Sequence, residues 1–246
     1  MNTYGLIGYP LGHSFSRKFF TEKFVREGID AQYLNFEISN IEEFPKIIET
    51  HTRLRGLNVT IPYKQQVMQY LHNISEEASA IGAVNVVRVR DGRLTGFNSD
   101  VIGFVNSIRP LLKPHHKKAL ILGTGGASKA IHYGLEKKLG MDTLFVSRNA
   151  REGMITYGEV TAEVLKEYEV IVNCSPVGMY PHVDECPALP YEALTEKNLL
   201  YDLVYNPKET LFMKKGAEQD ATVKNGLEML HLQAIASWEF WNGEKE

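Results

Sequence analysis

The sequence predicts an α/β protein of two domains, an N-terminal mixed-sheet unit and a Rossmann-like parallel-sheet dinucleotide-binding unit, with a C-terminal helix returning to the first. Three observations predict it. Apolar runs of strand length alternate with amphipathic helical runs through the first hundred residues. A second alternation opens at "ALILGTGGASKA", where an apolar strand meets a glycine-rich turn and a helix start. Between the two series, "KPHHKK" is a polar interruption of the kind that separates helices from a new sheet.

Taken in order, "TYGLIG" reads as a strand, "SRKFFTEKFVREG" as an amphipathic helix stopped by Gly28, and "QYLNFEI" as a second strand. "NIEEFPKIIETH" is helix-like, and "GLNVTI" completes a βαβαβ series. "SEEASAIGA" is a short helix with acids in its first turn. In "VNVVRVRDGRLTGFN", two extended runs meet at Asp91-Gly92, a hairpin dipeptide, so the first sheet should be mixed. The pattern is helical from Val101 to about Leu112. The second series places strands at "ALILG", "TLFVS", "EVIVNC" and "NLLYDLV" with helical patterns between most of them, which implies a parallel sheet. "NGLEMLHLQAIASWEFWNG" is an amphipathic helix suited to packing back on the first domain. The expected division is residues 1–100 with 226–246 as a substrate-binding domain and 101–225 as the nucleotide-binding domain.

Composition narrows the function. The chain has 246 residues, 43% hydrophobic and 23% charged, enough for a substantial core. A net charge of -3 and the lack of a long basic run argue against nucleic acid or an acidic membrane surface, leaving a small molecule as the expected partner. Cys174 and Cys186 flank a Pro-rich loop without metal-ligand spacing or the density of a disulfide scaffold, and read as reduced thiols. The start "MNTYGLIGYPLGHS" lacks a basic leader, and no run of about 18 apolar residues follows. A soluble cytoplasmic protein, monomeric or homodimeric, with no bound metal is expected.

The turn Gly123-Thr124-Gly125-Gly126-Ala127 lies between strand and helix, where glycines let the backbone approach a pyrophosphate and the free N–H groups of the helix start attract its charge. Ser128 stands where a third glycine often stands. The next strand names the dinucleotide. An NAD site commonly ends that strand with an acid for the ribose 2′-OH, whereas this chain has Ser147, Arg148 and Asn149, with Arg151 close behind. Asp142 is at the strand's opposite end. A guanidinium suits a 2′-phosphate, so NADP(H) is the expected cofactor.

Lys64 ends "GLNVTIPYK", just past a buried strand broken by Pro62. A lone lysine there is ordinarily a solvated surface group. Its company argues otherwise, because "GHSFS", "GAVNV", "FNSD" and "GLEMLHLQ" likewise set polar groups at element ends within apolar runs. With "GTGGASKA", these stretches resemble the shikimate dehydrogenase family, in order and over nearly the whole chain.

The resemblance implies reversible NADPH-dependent reduction of 3-dehydroshikimate to shikimate. It implies that Ser14 and Ser16 hold the substrate carboxylate at a helix start, the alternative being capping. It implies that Thr60, Lys64, Asn85, Asp100 and Gln233 contact ring hydroxyls or the reacting carbonyl, with Asn58 in support. Asn85 and Gln233 could equally serve strand-end or interhelix hydrogen bonding. Lys64 is the expected general acid, paired with Asp100, since a neighbouring carboxylate favours the ammonium form. His13 is a weaker rival, as the family gives its position no proton-transfer role. On the cofactor side, Ser175 in "NCSPVGMYP", Leu203 and Gly226 should lie near the nicotinamide, and Tyr205 near the substrate. Plain packing is the other reading of Leu203.

Two departures stand out. The segment from Arg148 to Tyr168 is short for a full crossover, and the family commonly has asparagine at Ser147. Two other functions therefore remain open: an NAD-using quinate/shikimate dehydrogenase, and a nonenzymatic NADP(H)-binding regulator on the same fold.

Overall fold

The computed structural model describes residues 1–12 and 15–243. Two compact units are present, Met1–Ser99 with Gln233–Glu246, and Asp100–Leu232. Asp100 and residues 226–232, expected in the first domain, thus group with the second unit, and the division falls inside the last helix.

The first unit contains β1 (Asn2–Gly8), α1 (Phe15–Arg26), β2 (Ala31–Glu37), α2 (Phe44–Thr50), β3 (Leu54–Val59), β4 (Asn73–Ile74), α3 (Glu76–Ile81), β5 (Val86–Arg90) and β6 (Arg93–Phe97). The sheet order is β2-β1-β3-β5-β6-β4, parallel among the first three strands and antiparallel from β3 to β6. The parallel part follows from the α1 crossover, and the antiparallel part from the Asp91-Gly92 turn, whose φ values of 50° and 74° are those a two-residue hairpin needs. The helix-like stretch after β2 splits into a 3-10 turn at Ile41–Glu43, capped reciprocally by Asn40 and Glu43, and then α2, with Pro45 in its first turn where no N–H is needed.

One face of this sheet is filled by aliphatic residues around Ile7, Leu57, Val67, Val84 and Val87, with Phe44. The other face is aromatic. Tyr4, Phe20, Phe24 and Tyr33 meet Trp238 and Trp241 from the last helix, with ring centroids 4.9 Å apart for Tyr4–Trp241 and 5.0 Å for Phe20–Tyr33. Gly56 of β3 lies beneath Trp241, and a Cβ there would collide with the indole, so only glycine admits this packing.

The second unit contains α4 (Asp100–Ile108), β7 (Lys118–Leu122), α5 (Gly126–Tyr133), β8 (Asp142–Ser147), β9 (Met154–Thr156), α6 (Ala162–Glu167), β10 (Val170–Asn173), β11 (Leu199–Asp202), α7 (Leu211–Ala217) and β12 (Thr222–Asn225), and α8 (Leu227–Asn242) follows. Its sheet is parallel throughout, in the order β12-β11-β10-β7-β8-β9. The central strands β7, β10 and β11 are almost wholly buried, as expected where helices cover both faces. β9 pairs in parallel with β8 after a connection that contains no helix, which accounts for the shortness of the segment after Arg148. No described helix is long and apolar enough to cross a membrane.

Candidate active site

In the second unit, β7 ends at Leu122 and the chain turns through Gly123, whose φ of +98° requires glycine. α5 begins with Gly125 as its N-cap and has no side-chain cap; the Ser128 N–H donates to the Gly125 carbonyl at 3.1 Å, and the N–H groups of Gly126 and Ala127 meet no capping side chain. A Cβ on Gly125 or Gly126 would meet nothing within 4 Å, so these glycines keep open a space rather than relieve a contact. Ser128 donates through Oγ to the Gly125 carbonyl at 2.6 Å, tightening the turn where a third glycine would have packed.

This turn borders a cavity of about 530 Å³, lined also by Ser147, Arg148, Asn149, Arg151, Tyr157 and Ser175. Two arginines line it and, among the described residues, no aspartate or glutamate does. That is the donor set a 2′-phosphate needs and the reverse of what a bare ribose diol selects. Arg151 Nη1 donates to Thr124 Oγ1 at 3.4 Å, linking the phosphate turn to the end of β8. Ser147 is buried and accepts from the Asn149 N–H at 3.4 Å, which shapes the turn that carries Arg148.

The cavity's far wall hangs on a buried polar chain. Ser175 Oγ donates to Asn173 Oδ1 at 2.6 Å, Asn173 Nδ2 donates to Asp202 Oδ1 at 3.0 Å, and Thr210 Oγ1 donates to Asp202 Oδ2 at 2.6 Å. Burial pushes the Asp202 carboxyl up to about 6 against the pull of these donors. Burial, with the Asp202 charge, also pushes the Cys174 thiol up, which keeps it protonated and unreactive at neutral pH.

Of the other expected cofactor residues, Leu203 and Gly226 meet through their backbones: a Cβ on Gly226 would collide with the Leu203 carbonyl oxygen, and Gly226 N–H donates to Val204 O at 3.2 Å. Neither lines the cavity, nor does Ala127. Tyr205 is exposed just beyond them. Cys174, Pro176 and Val177 of the "NCSPVGMYP" loop line the cavity beside Ser175, and Tyr157 and the segment 186–188 line it without having been placed at the cofactor by the sequence. Tyr157 follows β9, a three-residue strand too short to show a period.

In the first unit, Ser14 and the rival His13 lie outside the described residues. Ser16 lies in the first turn of α1, with its side chain near enough to the Tyr33 hydroxyl to act on its ionisation. Tyr33 donates to Asn58 Oδ1 at 2.8 Å, and Asn58 Nδ2 donates to Ser237 Oγ at 2.9 Å. Ser237 donates to the Gln233 carbonyl at 2.8 Å and lies 3.4 Å from Ser99 Oγ. The Ser99 N–H donates to Asn85 Oδ1 at 2.7 Å, and Asn85 Nδ2 donates to Ser99 Oγ at 3.1 Å. Ser16, Asn58 and Asn85 therefore belong to one polar network through their side chains, and Gln233 through its main-chain carbonyl. Thr60 and Lys64 follow β3, anchored through backbone bonds from Thr60 N–H to Ile7 O at 2.9 Å and from Val84 N–H to Lys64 O at 2.8 Å. Asp100 is buried at the first residue of α4 in the other unit.

A parallel doubly wound unit with an uncapped glycine turn and an arginine pair, joined to a mixed-sheet unit carrying a polar network, defines a nucleotide-dependent oxidoreductase of two α/β units. The family model described as "Shikimate dehydrogenase substrate binding domain" matches residues 6–87. The chain is 35% identical to a shikimate dehydrogenase (NADP(+)) of Methanococcus maripaludis strain C6 and 38% identical to one of Clostridium beijerinckii, covering 98% of this chain in both cases and 91% and 92% of those relatives. The crystal structure of a shikimate 5-dehydrogenase from Thermus thermophilus in complex with NADP(H) and shikimate matches with a TM-score of 0.86 at 30% identity, over 99% of this chain and 94% of that one. The chain belongs to the shikimate dehydrogenase family.

Proposed function

We propose that the chain is an NADP-dependent shikimate dehydrogenase, reducing 3-dehydroshikimate reversibly to shikimate in the cytoplasm, on the route to chorismate and the aromatic amino acids. The observation that carries the reading is the match over 98% of the chain to relatives named for that activity. The cavity, lined by two arginines and by no described aspartate or glutamate, supports NADP(H) over NAD.

Bound NADPH would supply the hydride. The α5 start would hold its pyrophosphate, and Arg148 and Arg151 its 2′-phosphate. Ser16, Thr60, Asn85 and Gln233 would pair with the substrate's carboxylate and hydroxyls, a polyol for which each unpaired buried group costs on the order of 1–3 kcal/mol. Lys64 would donate a proton to the carbonyl oxygen as negative charge grows there, with Asp100 favouring its ammonium form. Oxidation of shikimate needs the neutral amine first, so its rate should rise with pH when chemistry is limiting.

Absorbance of the reduced nicotinamide, followed with shikimate or quinate and with NADP+ or NAD+, tests the reading. The expected result is turnover with shikimate and NADP+; turnover only with quinate and NAD+, or with no pair, overturns it. Lys64→Ala should lower kcat by roughly 10²–10⁴-fold with a smaller effect on KM. A chain that binds NADP(H) but turns over nothing would favour the regulator.

A further inference from the structure

Ser16, Asn58, Asn85 and Gln233 come from four separate segments: α1, β3, the stretch before β5, and α8. What joins them is a set of three hydroxyls that the proposed chemistry does not use, those of Tyr33, Ser99 and Ser237, and these residues are 4%, 1% and 1% exposed. Each bridges two of the segments. Tyr33 bonds Asn58 and lies beside Ser16, Ser237 bonds Asn58 and, within α8, the Gln233 main-chain carbonyl, and Ser99 spans Asn85 and Ser237.

The chemistry of Asn58 shows what the arrangement does. Its carbonyl oxygen accepts from Tyr33, and its amide donates to Ser237 at 2.9 Å and to the Asn85 carbonyl at 3.5 Å. Both ends of the side chain are thus engaged within the protein, which suits a strut better than a ligand for substrate. The Tyr33 ring is fixed independently of its hydroxyl, stacked on Phe20 at 5.0 Å and 10° and packed against Trp241 at 6.4 Å. A rigid ring therefore delivers an oriented hydroxyl to Asn58, beside Ser16. A buried, mutually satisfied network of this kind holds its members to one geometry, and loss of one member leaves others unpaired.

Building on the proposed shikimate reading, we infer that Tyr33 and Ser237 are positioning residues for the substrate site, holding α1, the stretch before β5 and α8, which carry Ser16, Asn85 and Gln233, in register through Asn58. Both belong to the first unit, apart from the nucleotide cavity of the second. Their loss should therefore act on substrate binding, and a general loosening of the fold should not reproduce that pattern.

The test uses the full chain carrying Tyr33→Phe, which keeps the ring packing and removes only the oxygen. KM for shikimate should rise by about 10-fold or more, the effect of one lost and one orphaned hydrogen bond, while KM for NADP+ stays put and kcat changes less. Equilibrium binding of shikimate without cofactor should weaken in the same proportion. Ser237→Ala should do likewise, and Tyr33→Phe with Ser237→Ala should cost less than the sum, because both act through Asn58. A wild-type chain that leaves NADP+ unreduced by shikimate overturns the functional reading and this inference with it. If the wild type turns over, three results overturn the inference alone: unchanged shikimate affinity in Tyr33→Phe, equal losses for shikimate and NADP+, or strictly additive effects in the double variant.

Discussion

Asp202 ends β11 with no exposed surface, and its carboxylate receives Thr210 Oγ1, Asn173 Nδ2 and the Val204 N–H. Those donors favour the anion, yet burial outweighs them and lifts its pKa from 3.8 to about 6. The sign of the consequence is opposite to that of a paired surface acid. Between the ordinary and the raised value, the folded chain holds a proton the unfolded chain has released, so this group's stabilising contribution is complete below about pH 4 and is lost as pH rises through about 6. The loss is on the order of 3 kcal/mol. Urea unfolding of the wild type and of Asp202→Asn, which keeps the acceptor for Asn173 and Val204, isolates it. The stability difference, wild type minus variant, should fall by that order from pH 4 to 7. A constant difference across the range would show that the carboxyl titrates alike in both states. Ser175 depends on Asp202 through Asn173, so the same residue shapes the wall of the nucleotide cavity.

The phosphate turn and the end of β8 make separable predictions as elements. Gly125 has φ of -75°, an ordinary value for any residue, and open space where its Cβ would be. Gly125→Ala should therefore shift the melting temperature by no more than about 2 °C, as for a contact-free substitution. It should nonetheless raise KM for NADP+ by about tenfold or more, since the methyl occupies the space the pyrophosphate backbone approach requires. Replacing Arg148 and Arg151 together by Ala should cut the kcat/KM preference for NADP+ over NAD+ by about 10–100-fold, the worth of charge-assisted bonds to a phosphate. An unchanged preference would place the 2′-phosphate elsewhere. The turn was legible in the sequence because strand, glycines and helix start each leave a local signature, and the arginines because an acid is missing at a fixed distance. β4, β9, α7 and β12 were not read: each is seven residues or fewer, and their pairing is decided by neighbours distant in sequence. The same reason hid Tyr33, Ser99 and Ser237, whose hydroxyls gain meaning only when 16, 58, 85 and 233 converge, and it left Tyr157 unremarked at the cavity.

At the scale of the molecule, two cores of different chemistry are built from one chain. The second unit closes on aliphatic strands around Leu120, Ile171 and Leu200, whereas one sheet face of the first is completed only by Trp238, Phe240 and Trp241, contributed from the far end of the sequence. The first unit is therefore discontinuous, and its aromatic face cannot be filled by residues 1–99 alone. Trp241 is the centre of that face, touching Tyr4, Phe20 and Tyr33 and lying over Gly56. Trp241→Ala should cost about 3–5 kcal/mol of the first unit's stability through lost burial and an unfilled cavity. Because Tyr33 loses a wall of its ring packing, the variant should lose shikimate affinity while NADP+ affinity, which depends on the α5 turn and the arginine pair, is retained. Calorimetry with each ligand present separates the two effects: NADP+ should still raise the melting temperature of the variant, and shikimate should not. Gly56→Ala attacks the same contact from the strand side and should reproduce that pattern. Equal loss of both ligands' protection would mean that the units do not hold their structure independently.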